Sequence, residues 1–296
     1  MWVPITLLAA TFQILRTSRQ HQLRSLLSVN AAGFVRYAYG FPFALLAAVI
    51  TFGIVSEPLP QIPARFWLIV VGAGAAQILA TIALLRAFDL RDFAIGTVYA
   101  KSEVVLVAIV STIALSEPLA PLGWIGAVVC MVGIGWLAAP GRWRTVLSSA
   151  ADPAALMGVL AAGFFAIAAV GIRAASNSLG DDPTWNRALL TLTAMLGIQT
   201  VLNGTQLAFT DRPELGATVR HWRAIVPVGV LSVCGSAAWA VAVTLTNAAK
   251  VRTLGQVELL IAFAVSVWVL HERHTRAEYA ASGLVLIGIL GVIVLG

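Results

Sequence analysis

Long apolar stretches alternate with short polar connections along the whole chain. A helix needs about 20 apolar residues to cross the hydrocarbon core of a bilayer. By that measure the pattern predicts ten spans, at residues 2–15, 30–54, 65–86, 93–115, 120–139, 153–175, 185–209, 223–248, 252–270 and 277–295. The first is the shortest. The connections carry turn chemistry: Ser56-Glu57-Pro58, Ser116-Glu117-Pro118, Pro140-Gly141, Asp181-Asp182-Pro183 and Asp211-Arg212-Pro213. Proline lacks an N–H and clashes with the preceding turn, so it ends helices there. Trp67, Trp124, Trp143, Trp185 and Trp222 fall near segment ends, where an amphipathic ring suits the membrane interface.

The stretch 141–152 divides the pattern into five spans on either side, 1–140 and 153–296. A shift of 155 residues aligns the later parts of the two halves without gaps. Ala87 falls on Ala242, Glu103 on Glu258, Val110-Ser111 on Val265-Ser266, Glu117 on Glu272, and Gly133-Ile134 on Gly288-Ile289. With a small gap, Arg36 matches Arg187. Alanine and valine matches are cheap in such a composition; two glutamate matches are not. An odd number of spans per half turns the second half upside-down relative to the first, giving an inverted repeat about an axis in the membrane plane. The expected architecture is therefore an all-α integral membrane protein of ten transmembrane helices in two inverted five-helix repeats.

Composition agrees. Hydrophobic residues make up 59% of the chain and charged residues 11%. A soluble domain is roughly a quarter charged, so this chain could not cover a water-facing surface. The net charge is +6, but the arginines are scattered between apolar runs rather than clustered on one exposed face as nucleic-acid binding requires. Most lie in connections 1–2, 3–4, 5–6, 7–8 and 9–10. The positive-inside rule then makes that side cytoplasmic and leaves both termini outside. Residues 1–15 have no basic leader and read as a retained span rather than a cleaved signal peptide. Cys130 and Cys234 sit in separate apolar runs and the four histidines in connecting segments. No metal or cofactor motif and no P-loop emerges.

Against this background Glu103 and Glu258 stand out, each inside an apolar span. A carboxylate near the bilayer centre costs about 2.5–3.5 kcal/mol on insertion scales, and such acids mark functional pathways. Glu103 lies about ten residues into span four, roughly 15 Å at the helical rise. Tyr99 shares its helix face, since residues four apart are neighbours. Lys101, two residues away, points elsewhere and needs a partner on another helix. In span nine, Gln256 takes the place of Lys101, and Arg252 shares a face with Gln256. We expect Glu103 and Glu258 to face a shared cavity, with Lys101 a cross-helix partner for one of them, and to take up and release protons or grip a cationic amine. The opposing reading is a fixed ion pair that locks helices together. Tyr37, Gln77, Trp239 and Asn247 could line the cavity or simply hold helices together. Arg36 and Arg187, near the starts of their spans, read as side chains reaching back to the interface. Glu117 and Glu272 read as turn contacts.

The segments ALSEPLAPLGWIGAVVCMVGIGWL and VLHERHTRAEYAASGLVLIGILGVIVL carry a resemblance. Glu117 with Gly126 and Gly133, and Glu272 with Gly283 and Gly288, resemble the turn-and-helix pattern of the drug/metabolite transporter superfamily, in particular the ten-span EamA type. A departure is that many members have a proline about thirteen residues before the turn glutamate; here that neighbourhood reads Lys101-Ser102-Glu103-Val104, and Gln256-Val257-Glu258-Leu259 in the repeat. The resemblance implies a multi-pass protein of the inner (plasma) membrane, with both termini inside, acting as monomer or homodimer. It implies secondary active export of a small polar or amphipathic solute by alternating access, with the proton as candidate coupling ion, no cofactor and no enzymatic activity. Two alternatives stand beside it. One is an organic anion gripped by Lys101, Lys250, Arg252 and Arg36. The other is an uncoupled lipid flippase or membrane scaffold.

Overall fold

The computed structural model describes residues 1–296 except 24–25, 91–92, 140, 269–270 and 272–273, and the side chains of 20–22, 29, 93–95 and 143. Pro140, Leu270 and Glu272, named above, thus lie outside the described residues, as does the Trp143 side chain. Among the described residues there is no strand. Nine helical stretches among the described residues are long and apolar enough to cross a membrane. Helices satisfy every backbone N–H and C=O within one segment, which lipid demands.

The elements are α1 (Trp2–Gln22), α2 (Val29–Ala38), α3 (Phe41–Ala48), a π-helical segment Val49–Ile54, α4 (Ala64–Leu90), α5 (Phe93–Ala100), α6 (Glu103–Leu115), α7 (Pro121–Ala138), α8 (Trp143–Ser148), α9 (Pro153–Ser178), α10 (Thr184–Thr210), α11 (Arg212–Arg220), α12 (Trp222–Leu245), α13 (Ala248–Gly255), α14 (Val257–Trp268) and α15 (Arg276–Leu295). The expected spans are present as helix, with four refinements. The first span continues through residues 16–22, which the pattern assigned to a connection, so His21 is helical; α1 as a whole is not one of the nine apolar stretches. Span two is interrupted at Tyr39-Gly40. Spans four and nine are each two helices, broken at Lys101-Ser102 and at Gln256. Two further helices, α8 and α11, occupy polar connections.

The turns work as their residues suggest. Ser56 and Ser116 adopt left-handed φ of 61° and 56°. After each, the glutamate N–H reaches back six residues, from Glu57 to the Thr51 carbonyl and from Glu117 to Ser111. This closure consumes carbonyls that a helix end leaves open, and the proline that follows prevents resumption.

The chain forms two compact units, and each draws on both halves of the sequence. One comprises Met1–Ile78 and Gly171–Thr246, the other Leu79–Val170 and Asn247–Gly296; the dividing points fall within α4 and α9. In the first unit α1 packs on α12, and α10 on α2, α3 and α12. One of its cores joins Leu23, Leu27, Phe34, Val35, Leu207, Ile225 and Val228. In the second unit α7 lies along α15, and α6 packs on α13 and α7. The outer surface of both carries large apolar side chains such as Leu68, Ile113, Ile125, Val201 and Ile287, which is stable only against lipid.

Candidate functional site

The second unit holds the two intramembrane acids. The breaks that separate α5 from α6 and α13 from α14 are 155 residues apart, at equivalent points of the sequence repeat. At the first, the Ser102 N–H bonds the Tyr99 carbonyl three residues back, and its Oγ donates to the same oxygen at 2.7 Å. At the second, the Gln256 N–H bonds Thr253 O, and its side-chain amide donates to Arg252 O at 3.3 Å. A serine or amide side chain that competes for backbone carbonyls interrupts the regular ladder.

Each break makes a helix end in the middle of a span, and the charges are arranged to suit it. Glu103 opens α6 and Glu258 lies in the first turn of α14, where exposed N–H groups favour an anion. Arg252 is in the last turn of α13, and Lys101 follows the end of α5, where exposed carbonyls favour a cation.

The four charges pair across the two broken helices. Lys101 Nζ donates to Gln256 Oε1 at 3.0 Å and to Glu258 Oε1 at 3.1 Å. Arg252 Nε donates to Glu103 Oε1 at 2.6 Å, and Arg252 Nη2 contacts the same oxygen. The pairs differ in exposure. Glu103 has 8% of its side chain accessible and Arg252 20%, whereas Glu258 has 17% and Lys101 19%. Glu103 is thus the more enclosed acid and meets two nitrogens of Arg252, while the two cations are about equally accessible.

The remaining sequence candidates disperse. Tyr99 shares no bond with Glu103; its hydroxyl donates to the Val146 carbonyl at 2.8 Å. Asn247 caps α13 through the Ala249 N–H and donates to the Glu117 carbonyl at 2.8 Å. In the first unit, Gln77 accepts from Gln199 Nε2 at 2.8 Å, and the Trp239 indole N–H donates to Gln13 at 3.2 Å. The Arg36 guanidinium lies 5.6 Å from the centre of the Tyr37 ring. Arg187 Nη1 donates to the Gly180 carbonyl in the connection ahead of its helix.

Sequence reasoning gave Arg252 no acidic partner, because Glu103 is 149 residues away, and passed over Arg173 altogether. Arg173 Nη1 donates to the carbonyls of Val243 and Thr246 at 2.6 Å, and of Thr244 at 3.3 Å. It thereby covers the open end of α12. A lone arginine within an apolar helix was the available signal.

Residues 152–294 match the EamA-like transporter family. The chain belongs to the drug/metabolite transporter superfamily. It is accordingly a multi-pass membrane transporter. A solved structure titled "Crystal structure of protein" matches this superfamily member with a TM-score of 0.73 at 16% identity, over 99% of this chain and 97% of that one; the likeness shows the fold. Among curated proteins none matches.

Proposed function

We propose that this transporter is a secondary active exporter of a small polar or amphipathic metabolite in the inner (plasma) membrane. It works by alternating access between the inverted repeats 1–140 and 153–296, with the proton as coupling ion. The observation that carries the reading is the pair of helix breaks at equivalent positions, bridged by two ion pairs whose acids are unequally enclosed. Broken helices at the membrane midplane are where such transporters place binding and coupling groups.

The roles follow from the chemistry of the four side chains. Arginine stays charged at all accessible pH, so Glu103–Arg252 is a standing pair that holds α6 to α13. Lys101–Glu258, with Gln256 as a second acceptor for the ammonium, is the pair that opens. A proton on Glu258 removes its attraction for Lys101 and frees the α5–α6 junction from α14. Tyr99 positions α5 through its bond to Val146. The anion alternative in its Lys101–Arg252 form is disfavoured, because both cations already hold carboxylates.

The test has two stages. Purified protein is screened by thermal shift against amino acids, amines, nucleosides and sugars at several pH values. The best hit is then followed in proteoliposomes carrying a pH-sensitive dye. Solute flux should drive proton flux in the wild type, and Glu258→Gln should abolish that proton flux. Proton movement unchanged in Glu258→Gln would remove the coupling role.

A further inference from the structure

Arg36 and Arg187 occupy matching places in the sequence repeat, but the structure treats them differently. Arg187 reaches back to the Gly180 carbonyl in the connection ahead of its span. Arg36 is the eighth residue of α2, about 11 Å along the helix from Val29 at 1.5 Å per residue. Its guanidinium donates to no polar group among the described residues, and its Nε is buried without a partner. The guanidinium lies over the Tyr37 ring. Tyr37 is itself only 4% exposed, and its hydroxyl also lacks a partner among the described residues.

The counter-charge is missing from the surroundings as well. Within its unit, α2 packs against α3, α10, α11 and α12. The helices α3, α10 and α12 contain no acidic residue, and α11 contains only Glu214. Glu214 accepts the Ser28 N–H at 2.8 Å, just ahead of the start of α2. A cation inside a span costs free energy unless paired or hydrated, and nothing in these helices offsets this one.

We propose that Arg36 and Tyr37 form an anion-binding site, taking a carboxylate or phosphate group on the guanidinium with a second hydrogen bond from the Tyr37 hydroxyl. A planar guanidinium presents two parallel N–H donors to such an oxyanion. The site is independent of the coupling assigned to Lys101 and Glu258, since it lies in the other compact unit and requires no proton movement.

The experiment measures binding by the full-length protein in detergent. Melting temperature is followed against succinate, benzoate and inorganic phosphate, and against dioctanoyl phosphatidate, with sodium chloride at matched ionic strength as control. At least one anion should raise the melting temperature of the wild type with saturation. Losing a charge-assisted bond weakens binding by about 10- to 100-fold, so Arg36→Gln should show that loss, and Tyr37→Phe a loss of about 2- to 10-fold. Arg36→Lys keeps the charge without the fork and should bind with intermediate affinity; it also serves if Arg36→Gln fails to fold. Stabilisation by the soluble anions assigns the site to cargo, and stabilisation by phosphatidate alone assigns it to a lipid headgroup. No anion stabilising the wild type beyond the salt control would overturn the proposal, as would wild-type affinity in both Arg36 variants.

Discussion

At the scale of single residues, the two membrane acids are not equivalent. Glu103 is enclosed and held by Arg252 through two nitrogens, while Glu258 meets the flexible ammonium of Lys101 at a more accessible point. Removing one member of an enclosed pair leaves the other charge uncompensated, which costs about 3–5 kcal/mol. Glu103→Gln should therefore lower the melting temperature of the purified protein more than Glu258→Gln, which leaves Lys101 its bond to Gln256. Equal losses in the two variants would contradict the division into a standing and an opening pair. That both acids matter was legible in the sequence, because carboxylates are rare within spans. Their partners were not, because Arg252 and Glu103 meet only when α13 lies against α6.

At the scale of elements, glycine placement determines how closely α7 and α15 approach. A β-carbon on Gly133 would stand 2.7 Å from the Val285 nitrogen, one on Gly126 2.8 Å from the Val292 nitrogen, and one on Gly288 2.6 Å from Cys130 Cα. These are backbone atoms and cannot rotate away. Without a hydrophobic drive between helices in lipid, such close contact supplies much of the attraction. Gly283, part of the same sequence motif, has open space around it. Gly288→Ala should cost about 1–3 kcal/mol through overpacking, whereas Gly283→Ala should be neutral; denaturation of the two variants in detergent decides. The motif marked all four glycines alike, and only the facing helix separates the three that are packed from the one that is not. The helix breaks show the same limit. Hydropathy averaged over a span carries no mark of a break at Lys101-Ser102 or Gln256, since both stretches still pass as apolar spans and the interruption is made by local hydrogen bonds.

At the scale of the whole molecule, the number of crossings decides topology. Among the described residues nine helical stretches pass as spans on length and composition, and α1 ends in the polar residues Arg16 to Gln22. If α1 crosses as the tenth, the two ends of the chain lie on one side of the membrane. Single cysteines introduced at residues 1 and 296, in a background lacking Cys130 and Cys234, should thus label together with an impermeant maleimide or be protected together. Labelling of one end alone would leave α1 outside the set of crossings. The same measurement chooses between the external termini favoured by the arginine distribution and the internal ones implied by family resemblance.

The sequence by itself determined the solvent, the helical class, the approximate spans and the repeat. These are properties of local hydropathy and of residues related by a constant shift, and both can be read in one dimension. Tertiary structure alone decided which cation meets which acid, which glycines are buried against a backbone, and that Arg36 stands among helices offering it no acid. Each of those depends on helices far apart in the chain coming within bonding distance, and neither spacing nor composition encodes that encounter.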